Sequence, residues 1–282
     1  MLIFNRKQDL IRYLETNSTL KTTIGFVPTM GALHQGHLSL LKESIQQNTI
    51  TVISIFVNPT QFNNPDDLEK YPRTLESDVE KIKTVSKNIL IYAPDAADIY
   101  GDKTTSESFD FDGLEHQMEG QFRPGHFDGV GTIVKKLFEI VKPTNAYFGE
   151  KDFQQLLIVK KMVEKLNLSV SIVGCPIFRE RNGLAMSSRN ERLSEENRAN
   201  AKIIYQTLLE ANKLLHIKSL EEVILFVTQT INSTPNFELE YFQIANESTL
   251  LPIVNKNETE KSRAFIAVFV NNIRLIDTIS LN

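Results

Sequence analysis

The sequence predicts an α/β protein, a doubly wound parallel sheet followed by a smaller C-terminal α+β domain. Three observations predict it. Short runs that are apolar throughout, rather than alternating, recur over the first two thirds of the chain, as in a parallel sheet covered on both faces. Amphipathic stretches separate them, in the strand–helix–strand order of a doubly wound domain. After about residue 177 the order changes to two helices and then strands, so the expected domains are 1–177 and 178–282.

The elements follow in chain order. Ile24 to Val27 reads as a buried strand, and Leu38, Leu40, Leu41 and Ile45 after it have helical spacing. Val52 to Val57 is a second strand, ended by Asn58-Pro59, and Ile89 to Tyr92 a third, ended by Pro94. From about Asp128 to Val141 an apolar stripe of Val130, Ile133, Val134, Leu137, Phe138 and Val141 predicts a helix. Ala146 to Gly149 is a fourth strand, Asp152 to Leu166 a helix, and Val170 to Val173 a fifth strand. Beyond the junction, Ser194 is the expected N-cap of a helix carrying Ile204, Leu208, Ala211 and Leu215, and a second helix covers Leu220 to Ile231. Phe237 to Tyr241 alternates, as a strand wet on one face does. Ala264 to Val270 and Ile273 to Ile276 form a hairpin around Asn271-Asn272, because Asn tolerates the positive φ of a tight turn.

Composition narrows the function. With 41% hydrophobic and 23% charged residues the chain is globular, neither disordered nor fibrous. The 31 Lys+Arg against 35 Asp+Glu leave a net charge of −4, which argues against non-specific nucleic-acid binding but leaves room for a local basic pocket for a small anion. Cys175 is the single cysteine, so no internal disulfide forms and a reducing compartment is expected. No apolar run approaches the ~20 residues of a membrane span. Met1-Leu2-Ile3-Phe4 is interrupted by Asn5, Arg6, Lys7 and Asp9, unlike a secretory signal. A cytoplasmic location with neither a membrane nor a nucleic-acid partner is the expectation.

Chemistry concentrates in loops at strand ends. Pro28-Thr-Met-Gly-Ala-Leu-His34-Gln-Gly-His37 follows the first strand, where an open α/β sheet binds its ligands. A helix N-terminus offers free N–H groups to phosphate, and two imidazoles three residues apart could donate hydrogen bonds as charge builds there. The same spacing also serves as a metal pair or as a structural pair; a structural zinc site is disfavoured, since Cys175 is the only thiol. Phe148-Gly149-Glu150-Lys151-Asp152-Phe153-Gln154-Gln155 opens a helix at another strand end. Lys151 suits phosphate and the glutamines a polar substrate, or else these are ordinary N-terminal helix charges. Arg179 to Asn190 contains Gly183, Met186, Ser187, Ser188 and Arg189, either a flexible clamp for a triphosphate or a plain interdomain loop. Asn58-Pro59-Thr60-Gln61-Phe62 lies beside the histidine loop. Gly120 to Gly129, with Arg123 and His126, is a lid or a surface turn, and Asp78 either lies near a magnesium ion or sits on a solvated helix face.

Six segments carry a family resemblance: V-P-T-M-G-A-L-H-Q-G-H at 27–37, F-V-N-P-T-Q-F at 56–62, Y-P-R-T at 71–74, R-P-G-H-F-D-G-V at 123–130, F-G-E-K-D at 148–152 and A-M-S-S-R-N at 185–190. In this order they resemble the pantoate–β-alanine ligase family, of the nucleotidyltransferase superfamily marked by H-x-G-H. The resemblance runs from Phe26 to about Arg192 and implies a Rossmann-like nucleotidyltransferase domain with a C-terminal domain closing over its site. It implies a two-step reaction. The carboxylate of (R)-pantoate attacks the α-phosphate of ATP, giving pantoyl adenylate and pyrophosphate; the amine of β-alanine then displaces AMP to give pantothenate. Magnesium would accompany the triphosphate, no protein metal ligand is assigned, and a homodimer is implied.

Carried over by motif, Met30, Gly31, Ala32, Leu33, His34, Gln35, Gly36 and His37 line the ATP site. His37 is the catalytic proton donor and His34 assists at the phosphates. Gln61 holds pantoate and β-alanine, Gln155 holds pantoate, and Asn58 and Arg123 belong to the substrate side. Gly149, Glu150, Lys151 and Asp152 contact nucleotide, as does Phe178 through its backbone. Met186, Ser187, Ser188 and Arg189 close on the phosphates in the place of the K-M-S-K-S loop of related synthetases. Phe153 stands where the family has Tyr, and Arg181-Asn182 where an acidic residue precedes Gly183. Two other readings remain at this stage: a nucleotidyltransferase that releases a nucleotidylated product, and a non-catalytic nucleotide-binding module. Two glutamines near the histidine loop speak for a second acceptor and so for ligation.

Overall fold

The computed structural model describes residues 1–63, 65–254 and 261–281. The chain forms two compact units, Met1–Glu150 with Gln155–Pro176, and Lys151–Gln154 with Ile177–Asn282.

The first unit contains, in order, β1 (Ile3–Phe4), α1 (Lys7–Asn17), β2 (Ile24–Thr29), α2 (Gln35–Gln47), β3 (Ile50–Ile55), α3 (Pro65–Glu69), α4 (Leu75–Lys83), β4 (Leu90–Tyr92), α5 (Ala96–Tyr100), α6 (Met118–Phe122), α7 (His126–Val141), β5 (Asn145–Gly149), α8 (Phe153–Lys165) and β6 (Ser171–Cys175). The first two residues of α8 belong to the second unit. All six strands are parallel, in the order β1-β4-β3-β2-β5-β6. From β2 the chain steps outward through β3 to β4, then returns to place β5 on the other side of β2. The order therefore reverses between β2 and β5, and such a switch point opens a crevice at the carboxyl ends of the strands.

Helices cover both faces. On one, Leu38 and Leu41 of α2 and Val79 and Ile82 of α4 pack with Val27, Ile53 and Ile91. On α7 the buried set includes Val130, Ile133, Val134, Leu137 and Phe138, whose ring meets Phe26 edge-on at 6.2 Å.

The second unit holds α9 (Glu195–Asn200), α10 (Lys202–Leu214), α11 (Leu220–Asn232), β7 (Phe237–Asn246), β8 (Ser262–Val270) and β9 (Ile273–Ser280). The strands form an antiparallel sheet β7-β8-β9. Ile204, Leu208, Val223, Val227 and Ile231 of the helices pack with Ile244, Ile266 and Val268 of the sheet. Ser219 and Glu222 form a capping box at α11, and Asn271 takes a φ of 51° in the β8–β9 turn, as expected of Asn there.

The α/β and α+β classes hold, and several boundaries move. The second strand ends at Ile55 rather than Val57, because Asn58-Pro59 opens a 3-10 turn at Pro59–Gln61. The helix expected from Asp152 begins at Phe153, after a 3-10 turn over Glu150–Asp152. The single helix expected after Ser194 breaks at Ala201 into α9 and α10, although Ser194 caps the first by accepting the Asn197 N–H. β1 and α1 carry no signal strong enough to be read: β1 is two residues long, and Arg6 offers no side-chain cap.

Candidate active site

One buried carboxylate holds the loop that follows β2. Asp78 of α4 is fully buried and accepts the N–H groups of Ala32, at 2.9 Å, and of Leu33, at 2.7 Å. Thr74 Oγ1 donates to the same carboxylate at 3.2 Å, and Lys81, one turn on, donates to the Leu33 carbonyl at 2.7 Å. The loop needs this support, since Gly31 has φ 84° and Ala32, which carries a Cβ, has φ 48°. A Cβ on Gly31 would lie 3.2 Å from Asp78 Oδ2. Asp78 is therefore no solvated helix residue, and its oxygens face loop backbone rather than an open metal site. The signal was present in the sequence: Asp78 sits next to Val79 and four before Ile82, on the apolar stripe of α4.

The loop ends in the histidine pair. His34 is the N-cap of α2, and its Nδ1 accepts the Gly36 N–H at 3.1 Å. His37 occupies the third helical position, and its Nδ1 accepts the His34 N–H at 3.3 Å. The two imidazoles thus complete a reciprocal capping box, with ring centroids 4.0 Å apart. A ring nitrogen that accepts a backbone N–H carries no proton, so each neutral ring holds its hydrogen on Nε2.

Beside this loop lies the 3-10 turn after β3. Asn58 is 1% exposed and Gln61 9%. Asn58 Nδ2 donates to Gln61 Oε1 at 3.1 Å and to the Gly129 carbonyl at 3.2 Å, and Gln61 Nε2 donates to Met30 Sδ at 3.3 Å. The Gln61 carbonyl accepts from Arg123 Nη2 at 3.3 Å and from His126 Nδ1 at 2.8 Å, so that imidazole carries its hydrogen on Nδ1. The 120–129 segment is thereby tied to the Gln61 turn. It takes in the end of α6, a turn over 123–125 in which Pro124 and Gly125 are exposed, and the buried start of α7. Gly129 lets α7 come this close, because a Cβ there would stand 2.4 Å from the Thr60 carbonyl oxygen.

Gly149 ends β5 with open space beside it, and Glu150 begins the next turn. Because β2 and β5 are neighbours, this segment and the Met30 loop leave the same sheet edge at the switch point. Gln155 lies half-buried on α8. A cavity of about 440 Å³ opens at the ends of β2, β3 and β4, lined by Met30, Gly31, Phe56, Val57, Arg73 and Pro94 among others. Among the described residues no cluster of three His, Cys, Asp or Glu side chains could hold a metal ion.

The remaining sequence-predicted residues belong to the second unit. Lys151 Nζ lies 3.8 Å from Asp152, and Phe153 packs against Phe265 with the Arg263 guanidinium 3.9 Å over its ring. Phe178 is 42% exposed, and its carbonyl accepts the Met186 N–H at 2.9 Å, closing the loop between them. At the base of that loop Arg179 donates to both oxygens of buried Asp277, at 2.6 and 2.9 Å, and stacks 3.6 Å over Tyr205. Glu180 accepts from Asn190 at 2.7 Å and from Arg198 at 3.0 Å. Ser187 Oγ accepts the Arg189 N–H and caps a short 3-10 turn over Ser188–Arg192. The segment read as a flexible clamp is thus anchored at its base by two ion pairs.

A doubly wound sheet with polar, glycine-bearing loops at its switch point defines a class, the α/β proteins that bind small molecules across their strand ends. The particular family follows from comparison. The chain belongs to the pantoate-beta-alanine ligase family, whose model matches residues 2–280. It is 66% identical over 281 residues to the pantothenate synthetase of Flavobacterium psychrophilum, with all of both chains covered, and 51% identical to that of Christiangramia forsetii, again over the full length of both. Among solved structures, pantothenate synthetase from Thermus thermophilus superposes with a TM-score of 0.90 at 36% identity, covering 100% of this chain and 99% of that one. The pantoate-beta-alanine ligase of Francisella tularensis, solved with beta-gamma ATP and beta-alanine, gives 0.80 at 34% identity, covering 100% and 98%.

Proposed function

We propose that this protein joins pantoate to β-alanine at the expense of ATP, releasing AMP and pyrophosphate through a pantoyl adenylate. The observation that carries this reading is the histidine pair locked at the start of α2, where each Nδ1 accepts a backbone N–H and so leaves the ring hydrogen on Nε2, beside the switch point. Adenylation puts charge on the α-phosphate and on departing pyrophosphate. Fixed donors and helix-end amides stabilise such charge without having to reorganise. His37 is the proposed donor to the leaving phosphate, with His34 beside it.

ATP enters as its magnesium complex, with the ion held by water and phosphate oxygens. Met30 to His37, Gly149 and Glu150 are the proposed nucleotide contacts of the first unit. Those of the second are Lys151, Asp152, the Phe178 backbone and Met186 to Arg189. Gln61, supported by Asn58 and Arg123, and Gln155 are the proposed substrate side. A homodimer in the cytoplasm completes the reading. No helix among the described residues is long and apolar enough to cross a membrane, which is compatible with that location.

The test is a product assay. Purified protein with pantoate and magnesium ATP should release pyrophosphate, and AMP should appear in solution with the amide once β-alanine is added. No pyrophosphate with pantoate would overturn the assignment. A nucleotidylated product unaffected by β-alanine would point instead to a simple nucleotidyltransferase.

A further inference from the structure

Gln61 is useful to a substrate only if its amide points one way. A terminal amide has a donor end and an acceptor end of nearly equal shape, so an unsupported Gln can present either. Here the choice is made by a relay that begins outside the motif. Tyr100, the last residue of α5, donates its hydroxyl to Asn58 Oδ1 at 2.5 Å, and Thr60 Oγ1 donates to the same oxygen at 3.2 Å. With Oδ1 held by two hydroxyls, Asn58 turns Nδ2 inward, where the Gly129 carbonyl and Gln61 Oε1 accept its two hydrogens. Both of those contacts need a donor. Gln61 Oε1 is thereby occupied, and Nε2 is the end left to face the Met30 loop.

The topology explains the geometry. β3 and β4 are parallel neighbours, so the turn after β3 and the helix after β4 meet at the same sheet edge. Tyr100 is held there by Phe56, ring to ring at 6.4 Å, with Lys136 Nζ 5.6 Å from its ring centroid. Burial pushes its phenol above the ordinary range, so it remains a neutral donor.

We propose that Tyr100 is a positioning residue that fixes, through Asn58, the amide of Gln61 with its N–H groups toward the substrate, making Gln61 a donor-only contact for an oxygen-rich acid such as pantoate. This rests on the ligase reading above. Hydroxyl and carboxylate oxygens are the acceptors such a contact recognises, and a reversed amide would set its own oxygen against the carboxylate, which can only accept.

The test is Tyr100→Phe, which keeps the ring and its packing and removes only the donor. The expected result is a KM for pantoate raised about tenfold, the order expected for losing one well-placed hydrogen bond, with the KM for ATP within about twofold of the parent value and an unchanged denaturation midpoint. A merely structural role would move both KM values together. Equal shifts, or none, would overturn the proposal. Should Tyr100→Phe fail to fold, Thr60→Val removes the other hydroxyl from Asn58 Oδ1 and must show the same selective shift, at about two- to threefold. Parent protein that makes no pyrophosphate would sink the ligase reading itself, whereas active parent protein with an unaltered Tyr100→Phe variant sinks only the relay.

Discussion

His37 accepts the His34 N–H through Nδ1, and His34 accepts the Gly36 N–H in the same way. The backbone of α2 therefore chooses the tautomer of each ring. Nitrogen NMR of the free protein should show both as the Nε2–H form at neutral pH, and an Nδ1–H signal from either would contradict the capping geometry. His37→Ala removes a fixed donor, and the rate of pyrophosphate release should fall by about 10²-fold or more. An unchanged rate would reduce His37 to a helix cap. Asp78 acts one step further back. Replacing it with Asn keeps the shape but removes the charge and turns an NH₂ group toward one of two backbone donors. The expected cost is about 1–3 kcal/mol in urea unfolding, the range for a buried backbone group losing its acceptor, together with a lower kcat/KM for ATP. Full stability and full activity in Asp78→Asn would mean that Ala32 and Leu33 find other acceptors.

At the scale of elements, α7 matters less as a helix than as a wall against which the Gln61 turn is set. Gly129→Ala would drive a methyl group to within 2.4 Å of the Thr60 carbonyl oxygen and 2.8 Å of Gln61 Cα, so the turn must move. We expect a loss of about 1–3 kcal/mol, the usual cost of overpacking, and a weaker hold on pantoate than on ATP. Equal weakening of both would place the damage in the general fold. The 178–192 loop gives the converse case. Its base is pinned by Arg179–Asp277 and Glu180–Arg198, so Arg189→Ala should alter ATP affinity more than pantoate affinity without lowering the melting temperature. These elements also show what a sequence can and cannot display. Strands apolar throughout and the α7 stripe were legible because burial on a sheet face imposes a local pattern. The histidine loop was legible because glycines and imidazoles stand at a strand end. Tyr100 was not, because its role comes from β3 and β4 being neighbours, which brings it to Asn58, 42 positions away in the chain. His126 was visible only as a histidine in a glycine-rich segment; its bond to the Gln61 carbonyl spans 65 positions that no local spacing encodes.

Across the whole molecule the two units differ in what alkaline pH does to them. Burial raises the Cys175 thiol from 9.0 to about 11, helped by the carboxylates of Glu43 and Glu150. The phenols of Tyr92, Tyr100 and Tyr147 are raised as well, in each case chiefly by burial. All four groups belong to the first unit. Each folded pKa lies above its unfolded value, so the folded chain keeps protons that the unfolded chain would release. For Cys175 that contribution to stability is full below about pH 9 and drains away as pH rises through 11, while for the three phenols it begins to drain only above their ordinary value of 10.0. The melting temperature should fall steadily over that window. Hydrogen exchange should show the parallel sheet of the first unit opening before the antiparallel sheet of the second. Over the same window a thiol reagent should reach Cys175, which is 5% exposed, only as fast as the first unit opens. Earlier loosening of the β7-β8-β9 sheet, or rapid thiol reaction at pH 8 in the folded protein, would show that burial of these four groups does not control the alkaline limit.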